Sequence, residues 1–202
     1  MMRFLACLLL PCLLLIALPG CAAMKGGDSP VTLRLSPRFA PAAPVAAPSF
    51  TVAPVQARGL IGGQRYAYVD ALAPGEIRQA ATLFWEEAPA AMLARALVAG
   101  LRSRFATVTG PDLALAADRR VVAMLDRFEE VSDAGTARAT VAFDVTLVAQ
   151  GKPVWAGRYC AVQPIAGAAG TVRAAAFQSA VEQAVAAFVQ DAVSGKVSAA
   201  AC

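Results

Sequence analysis

The 202-residue chain contains no histidine. Without imidazole, mechanisms that use it as general base, proton shuttle or metal ligand are excluded, which removes most hydrolases and zinc enzymes. Charge is scarce as well, with Asp, Glu, Lys and Arg together making up 16%. Three of the eighteen basic residues are lysines, and the fifteen arginines are scattered rather than clustered. A formal net charge of +4 spread in this way is too weak to hold a nucleic acid, so no nucleic-acid partner is expected. No apolar run reaches the roughly twenty residues of a spanning helix: Phe4 to Leu18, broken by Pro11, falls short. The mean hydropathy of +0.57 therefore does not describe a polytopic membrane protein. What is abundant is alanine within a 58% hydrophobic composition, well above the usual share of about 45–50%, and this argues for a packed core. The length suits one compact domain with a short leader or tail.

The leader is at the amino terminus. Met1-Met2-Arg3 is a short positive segment, the apolar run follows, and Leu18-Pro19-Gly20-Cys21 closes it, which is the layout of a secretory signal. The closing tetrad looks like a bacterial lipobox, with a branched apolar residue three before the cysteine and a small residue just before it. Pro19 departs from the small or aliphatic residue usual there. Cleavage between Gly20 and Cys21 with acylation of Cys21 is expected, and each buried methylene of the acyl chains would contribute about 0.8 kcal/mol to membrane attachment. What the resemblance to bacterial lipoproteins implies is that Ala22 after the cysteine, rather than aspartate, favours sorting to the periplasmic face of the outer membrane. The expected organisation is a signal peptide over residues 1–20, a lipidated tether over 21–30, one domain over 31–195 and a flexible tail over 196–202.

Cys7 and Cys12 fall in the leader and Cys21 takes the lipid, which leaves Cys160 and Cys202 in an oxidising compartment. A disulfide between them would close a loop of about forty residues and stabilise by about 4 kcal/mol in the chain-entropy model. A free thiol or an intermolecular bond at Cys202, the last residue, is the other outcome.

Periodicity outlines the domain. Val31–Leu35 and Phe50–Val55 have strand character on either side of a loop rich in Pro and Ala, and Tyr66–Val69 and Ile77–Trp85 follow as strands. From Pro89 the apolar residues Met92, Leu93, Leu97, Leu101 and Phe105 recur every three or four positions, as an amphipathic helix requires. Arg120–Val131 alternates imperfectly, Arg138–Leu147 alternates cleanly, and Val154–Val162 follows the turn at Gln150-Gly151. Ser132-Asp133-Ala134-Gly135 has hairpin chemistry, so these three strands are expected as an antiparallel meander. Phe177, Val181, Val185, Val189 and Val193 then step by four on a last helix bounded by Gly170 and Gly195. The fold expected is α+β: a mostly antiparallel sheet of about five to six strands with two amphipathic helices packed on one face.

No catalytic constellation emerges. Glu86-Glu87 and Glu129-Glu130 are adjacent pairs whose side chains point to opposite faces of extended chain, and they read as solvated charges. Gly59-Leu60-Ile61-Gly62-Gly63 lacks the Gly-Lys-Ser/Thr ending of a phosphate loop, and no cofactor or metal set is present. Tyr66, Tyr68, Phe84, Trp85, Trp155 and Tyr159 either pack beneath the helices or serve an interface. Trp85 shares a face with Leu83 and Ile77 and is expected on the core side, with Phe84 opposite. On the last strand Trp155 and Tyr159 oppose Val154, Cys160 and Val162. Phe84, Trp155 and Tyr159 are the interface candidates.

The order of a lipobox cysteine, Leu33-Arg34-Leu35-Ser36-Pro37, Phe84-Trp85-x-x-x-Pro89-x-x-Met92-Leu93, Leu125-Asp126-Arg127-Phe128-Glu129 and a closing Ala-rich helix resembles the ABC-type transport auxiliary lipoprotein family. That family is typified by paraquat-inducible protein C-like partners of Mce-domain lipid transport systems. The resemblance covers nearly all of the mature chain, with Gly59–Tyr68 only loosely similar. It implies a non-enzymatic, outer-membrane-anchored component without cofactor, whose partners are the membrane, reached through the lipid, and an Mce-domain protein. Such families are also compatible with homo-oligomers. A regulator of another envelope machine, such as a peptidoglycan synthase activator or a secretin pilot, is the alternative.

Overall fold

The cleanest alternation in the sequence lies within β8 (Thr136–Ala149) of the computed structural model, which describes residues 29–113 and 115–197. It is flanked by two antiparallel neighbours of similar length, β7 (Arg119–Asp133) and β9 (Lys152–Ile165). Both connections are two-residue loops, Ala134-Gly135 and Gln150-Gly151, with positive φ at each position. This backbone hand matches the twist of the flanking strands, and glycine at the second position adopts it without a Cβ clash. The expected meander is therefore present.

The imperfect alternation of β7 has a local cause. Leu125 faces Phe143 and Arg127 faces Ala142, so Asp126 is an extra residue in the ladder. Such a bulge exchanges the two faces of the strand. Before it Val121, Ala123 and Leu125 are buried; after it Phe128 and Glu130 are.

The sheet is larger and less antiparallel than the sequence suggests. Among the described residues it has nine strands, the others being β1 (Val31–Leu33), β2 (Phe50–Val52), β3 (Gln56–Ala57), β4 (Arg65–Asp70), β5 (Ile77–Trp85) and β6 (Val108–Thr109). β2, β3 and β4 run parallel to β7 and tile its second edge in turn, at Arg119–Val121, Met124-Leu125 and Glu130–Ser132. β1 pairs parallel with β5, and β6 with β2, while β4 and β5 are antiparallel. Short strands of two or three residues leave almost no periodic trace, which is why the added pairings escape a sequence pattern. β2 ends at Val52, and Pro54, which has no N–H to donate, follows shortly after.

Helices α1 (Pro89–Arg102) and α2 (Gly170–Ser194) pack against one another and share a single core with the sheet. Proline at the first position of α1 loses no intrahelical bond. Its apolar stripe of Met92, Leu93, Leu97 and Leu101 is buried, as are Phe177, Val181, Val185 and Val189 of α2. The helices are in tight contact at Gly100, where a Cβ would lie 2.6 Å from Val185 Cγ1 and 3.3 Å from Val189 Cγ2. Those distances admit no larger residue without displacement of α2. At the far end, the side chain of Val197 lies against Gly157 of β9.

Candidate docking surfaces and buried polar anchors

Gly20, Cys21 and Cys202 lie outside the described residues. Cys160, on β9, is disulfide-bonded. Of the interface candidates, Tyr159 must be corrected: it is fully buried. Its hydroxyl donates to Asp191 Oδ2 of α2 at 2.8 Å, and its ring meets Phe188 at 5.5 Å and Phe143 at 5.7 Å. Burial, followed by the hydrogen bond to Asp191, pushes this phenol well above its ordinary pKa. The Trp155/Tyr159 face thus turns toward α2 because α2 supplies both an acceptor and an aromatic partner. Trp155 is half-buried, 6.0 Å from Phe188. Phe84 is half-buried on β5, with the Arg65 guanidinium 5.1 Å from its ring centre, in cation–π range.

The opposite face of the meander is the outward one. Val154 and Val162 on β9 are 50% and 41% exposed, and Val122 on β7 is 41% exposed. Between them Arg158 bonds Asp126, the bulge residue, and reaches Asp144 Oδ1 at 3.4 Å, with Arg58 4.0 Å from the other oxygen of Asp126. The bulge re-aims Asp126 so that a carboxylate from each of β7 and β8 meets one arginine from β9. Among the described residues β9 pairs with β8 alone and is the outer strand of the meander.

A second polar cluster is internal, and here the expectation for Glu129-Glu130 fails. The two side chains do take opposite faces, yet both are buried, at 7% and 6% exposure. Glu129 Oε1 accepts from Arg127 Nε at 2.7 Å. Glu130 Oε2 accepts from the Tyr66 hydroxyl at 2.6 Å and from Arg173 Nε, in the first turn of α2, at 2.8 Å. Ser132 donates to the other oxygen at 3.2 Å. Burial pushes the Glu130 carboxyl up, but the bonds from Arg173 and Tyr66 and the charge of Arg173 outweigh it and hold it below the usual range. The missing signal was the bulge at Asp126, which turns position 130 inward. Glu86 and Glu87, by contrast, lie toward the surface, paired with Arg34 and Arg95.

Among the described residues no group of three or more Cys, Asp or Glu is placed to hold a metal ion. No helix among them is long and apolar enough to cross a membrane. A family model described as the ABC-type transport auxiliary lipoprotein component matches residues 32–189. The chain belongs to that family. The match begins within β1 and ends within α2, so it takes in all of the sheet but Val31, the whole of α1, most of α2 and the Glu130 cluster. A crystal structure of a Xanthomonas campestris protein is similar with a TM-score of 0.73 and 21% identity, covering 82% of this chain and 96% of its own. A second crystal structure, of an uncharacterized protein, gives a TM-score of 0.66 at 13% identity, with 82% and 99% covered. A dodecameric PelC from Paraburkholderia phytofirmans is more distant, with a TM-score of 0.44 and 10% identity over 73% of this chain and 93% of its own. The first two share the fold. No curated protein matches the chain in sequence.

Proposed function

We propose that this auxiliary lipoprotein is anchored through acylated Cys21 to the periplasmic face of the outer membrane and docks an Mce-type ABC system that moves phospholipid or another lipid. Membership of the family over residues 32–189 carries the reading. The lipobox-like tetrad supports the anchor, and the stretch from Cys21 to Val31 spans at most about 35 Å when extended. The domain would therefore work close to its bilayer. Docking would use the outward face of the meander, where Val154, Val162 and Val122 surround the Arg158 ion cluster, together with the outer strand β9. An edge strand can accept a partner strand through main-chain hydrogen bonds, and the alternating side chains then select the partner. Phe84 on β5 and the half-buried Trp155, which faces α2, would be separate contact candidates. Energy for transport would come from partner ATPase and permease subunits, with this chain contributing binding.

Photo-crosslinkers placed at Val154, Val162 and Phe84 of the full chain should capture an Mce-domain protein, whereas one at the buried Tyr159 should capture nothing. Capture of a peptidoglycan synthase or a secretin subunit at those positions would replace the transport reading with the envelope-regulator one.

We also propose that the disulfide partner of Cys160 is Cys202. Val197 already lies against Gly157, three residues along β9 from Cys160, so the last five residues have a short distance to cover. A non-reducing peptide map should recover the Cys160 and Cys202 peptides joined. Recovery of Cys160 joined to a second molecule or to another protein would refute the pairing.

A further inference from the structure

Where the last turn of α1 approaches the carboxyl-terminal half of α2, Phe39 closes a pocket of about 420 Å³. Its walls are mostly apolar, from Phe39, Gly100, Ala186, Val189 and Val193, and one cation, Arg104, enters it. That volume is within the range of roughly 300–1,000 Å³ typical of sites that bury a small ligand. Phe39 and Ser103 also line a wider groove of about 1190 Å³ that continues along the outer side of α1, over alanines of that helix toward Val55 and Leu113. The two spaces share Phe39 and Ser103, and the groove, although mostly apolar, also carries Glu87, Arg95, Arg102 and Asp112 on its rim.

Arg104 distinguishes this site from an ordinary helix crevice. Its Nε is buried and has no hydrogen-bond partner among the described residues. The neighbouring Arg102 is spent on the carbonyl of Val108, at 3.2 and 3.3 Å, and Arg95 is paired with Glu87 at 2.7 Å. The root of Arg104 is fixed: its N–H donates to the Leu101 carbonyl at 3.0 Å and its carbonyl accepts from Val45 at 2.7 Å. The next residue, Phe105, is buried against Phe50 at 4.5 Å. An arginine does not relieve burial by losing its proton, so a desolvated guanidinium donor without an acceptor is costly. An anionic oxygen would satisfy it, and the guanidinium fork matches a carboxylate in a two-point contact.

We infer that this pocket binds a long-chain fatty acid, with the carboxylate on Arg104 and the acyl chain passing Phe39 into the groove along α1. In the groove, Arg95 is paired with Glu87, Arg102 is spent on the Val108 carbonyl, and Asp112 stands beside Leu113, so Arg104 is the cation left to meet an anionic head group, with a mostly apolar surface beyond it for the chain. The inference does not depend on the meander face or on the identity of the docked partner. It adds a ligand site on the opposite, helical side of the domain.

The test uses the full lipidated chain in nanodiscs, a diazirine-bearing palmitic acid, and the matching diazirine-bearing palmityl alcohol. After irradiation the labelled peptides are mapped by mass spectrometry, which separates this site from the acylated amino terminus. The acid should label peptides containing Phe39, residues 98–104 or residues 186–193, and the alcohol should label them about ten-fold less or weaker still, the loss expected for one charge-assisted contact. Arg104→Gln should lower labelling by the acid to the level of the alcohol, and Arg104→Lys should retain part of it. Ala186→Trp, which fills the pocket and leaves Arg104 in place, should abolish labelling by both. Equal labelling by acid and alcohol, or labelling unchanged in Arg104→Gln with an unaltered melting curve, would overturn the inference. So would crosslinking that maps a protein segment into the pocket in place of the probe. Capture of an Mce-domain protein at Val154 would be unaffected by any of these outcomes.

Discussion

Replacing Arg173 with methionine is expected to lower the free energy of unfolding by about 3–5 kcal/mol, the usual cost of removing one partner from a buried ion pair. The substitution leaves the Glu130 carboxylate buried, with the Tyr66 and Ser132 hydroxyls as its remaining donors. It also releases the first turn of α2 from the end of β7. The Glu130→Gln/Arg173→Met pair should recover much of that loss, because the buried charge is gone together with its partner. Acid provides an independent readout. The folded-state pKa of Glu130 lies below its unfolded value of about 4.3, so its contribution is fully present above that pH and is lost as pH falls through the folded value. Urea midpoints at about pH 7 and about pH 3 should therefore differ more in the native chain than in Glu130→Gln. An equal acid loss in both would show that Glu130 is ionised without a net partner.

The elements legible in the sequence are those in which one period runs unbroken. In α2, Phe177, Val181, Val185 and Val189 step by four between Gly170 and Gly195, and the helix spans Gly170–Ser194. In β8 a two-residue alternation runs between two Xaa-Gly turns. β7 is half legible, because Asp126 exchanges its faces midway, and the same event hides the buried role of Glu130. β3 and β6, of two residues each, exist through their pairing with β7 and β2 and have no periodicity of their own. At the candidate surfaces, the sequence separates the two faces of β9 correctly but does not say which is outward. Asp191 decides that, since it lies 32 residues beyond Tyr159 and becomes its acceptor through the packing of α2. Arg104 is invisible for a related reason. Nothing in its neighbours shows that its Nε is buried or that Phe39, more than sixty positions earlier, lines the same pocket.

Trp85→Ala should be the most damaging apolar substitution in the chain, costing about 3–5 kcal/mol. Trp85 is buried at the centre of an aromatic cluster, its ring 5.5 Å from Tyr66, 5.2 Å from Phe128 and 5.1 Å from Phe177. These rings come from β4, β7 and α2, so one side chain joins the short-strand half of the sheet to the long meander and to a helix. No other aromatic residue of β5 can replace it, since Phe84 faces the other way beneath Arg65. For a domain of this size the loss corresponds to a fall in melting temperature of roughly 10 °C. The effect should also be uneven along the chain. Trp85 is the register partner of Leu33, and its N–H donates to the Gln64 carbonyl at 2.7 Å, so β1, β4 and β5 all bear on it. In contrast, β8 and β9 are held by a long ladder, unbroken from Ala137 to Leu147, that does not pass through Trp85. Hydrogen exchange in the variant should accelerate first over residues 31–33 and 77–85, while residues 139–147 keep their protection. Trp85→Phe, which keeps a ring in the cluster, should reproduce the pattern at a smaller amplitude. Uniform loss of protection across all strands would instead mean that the aromatic cluster and the meander unfold as one unit.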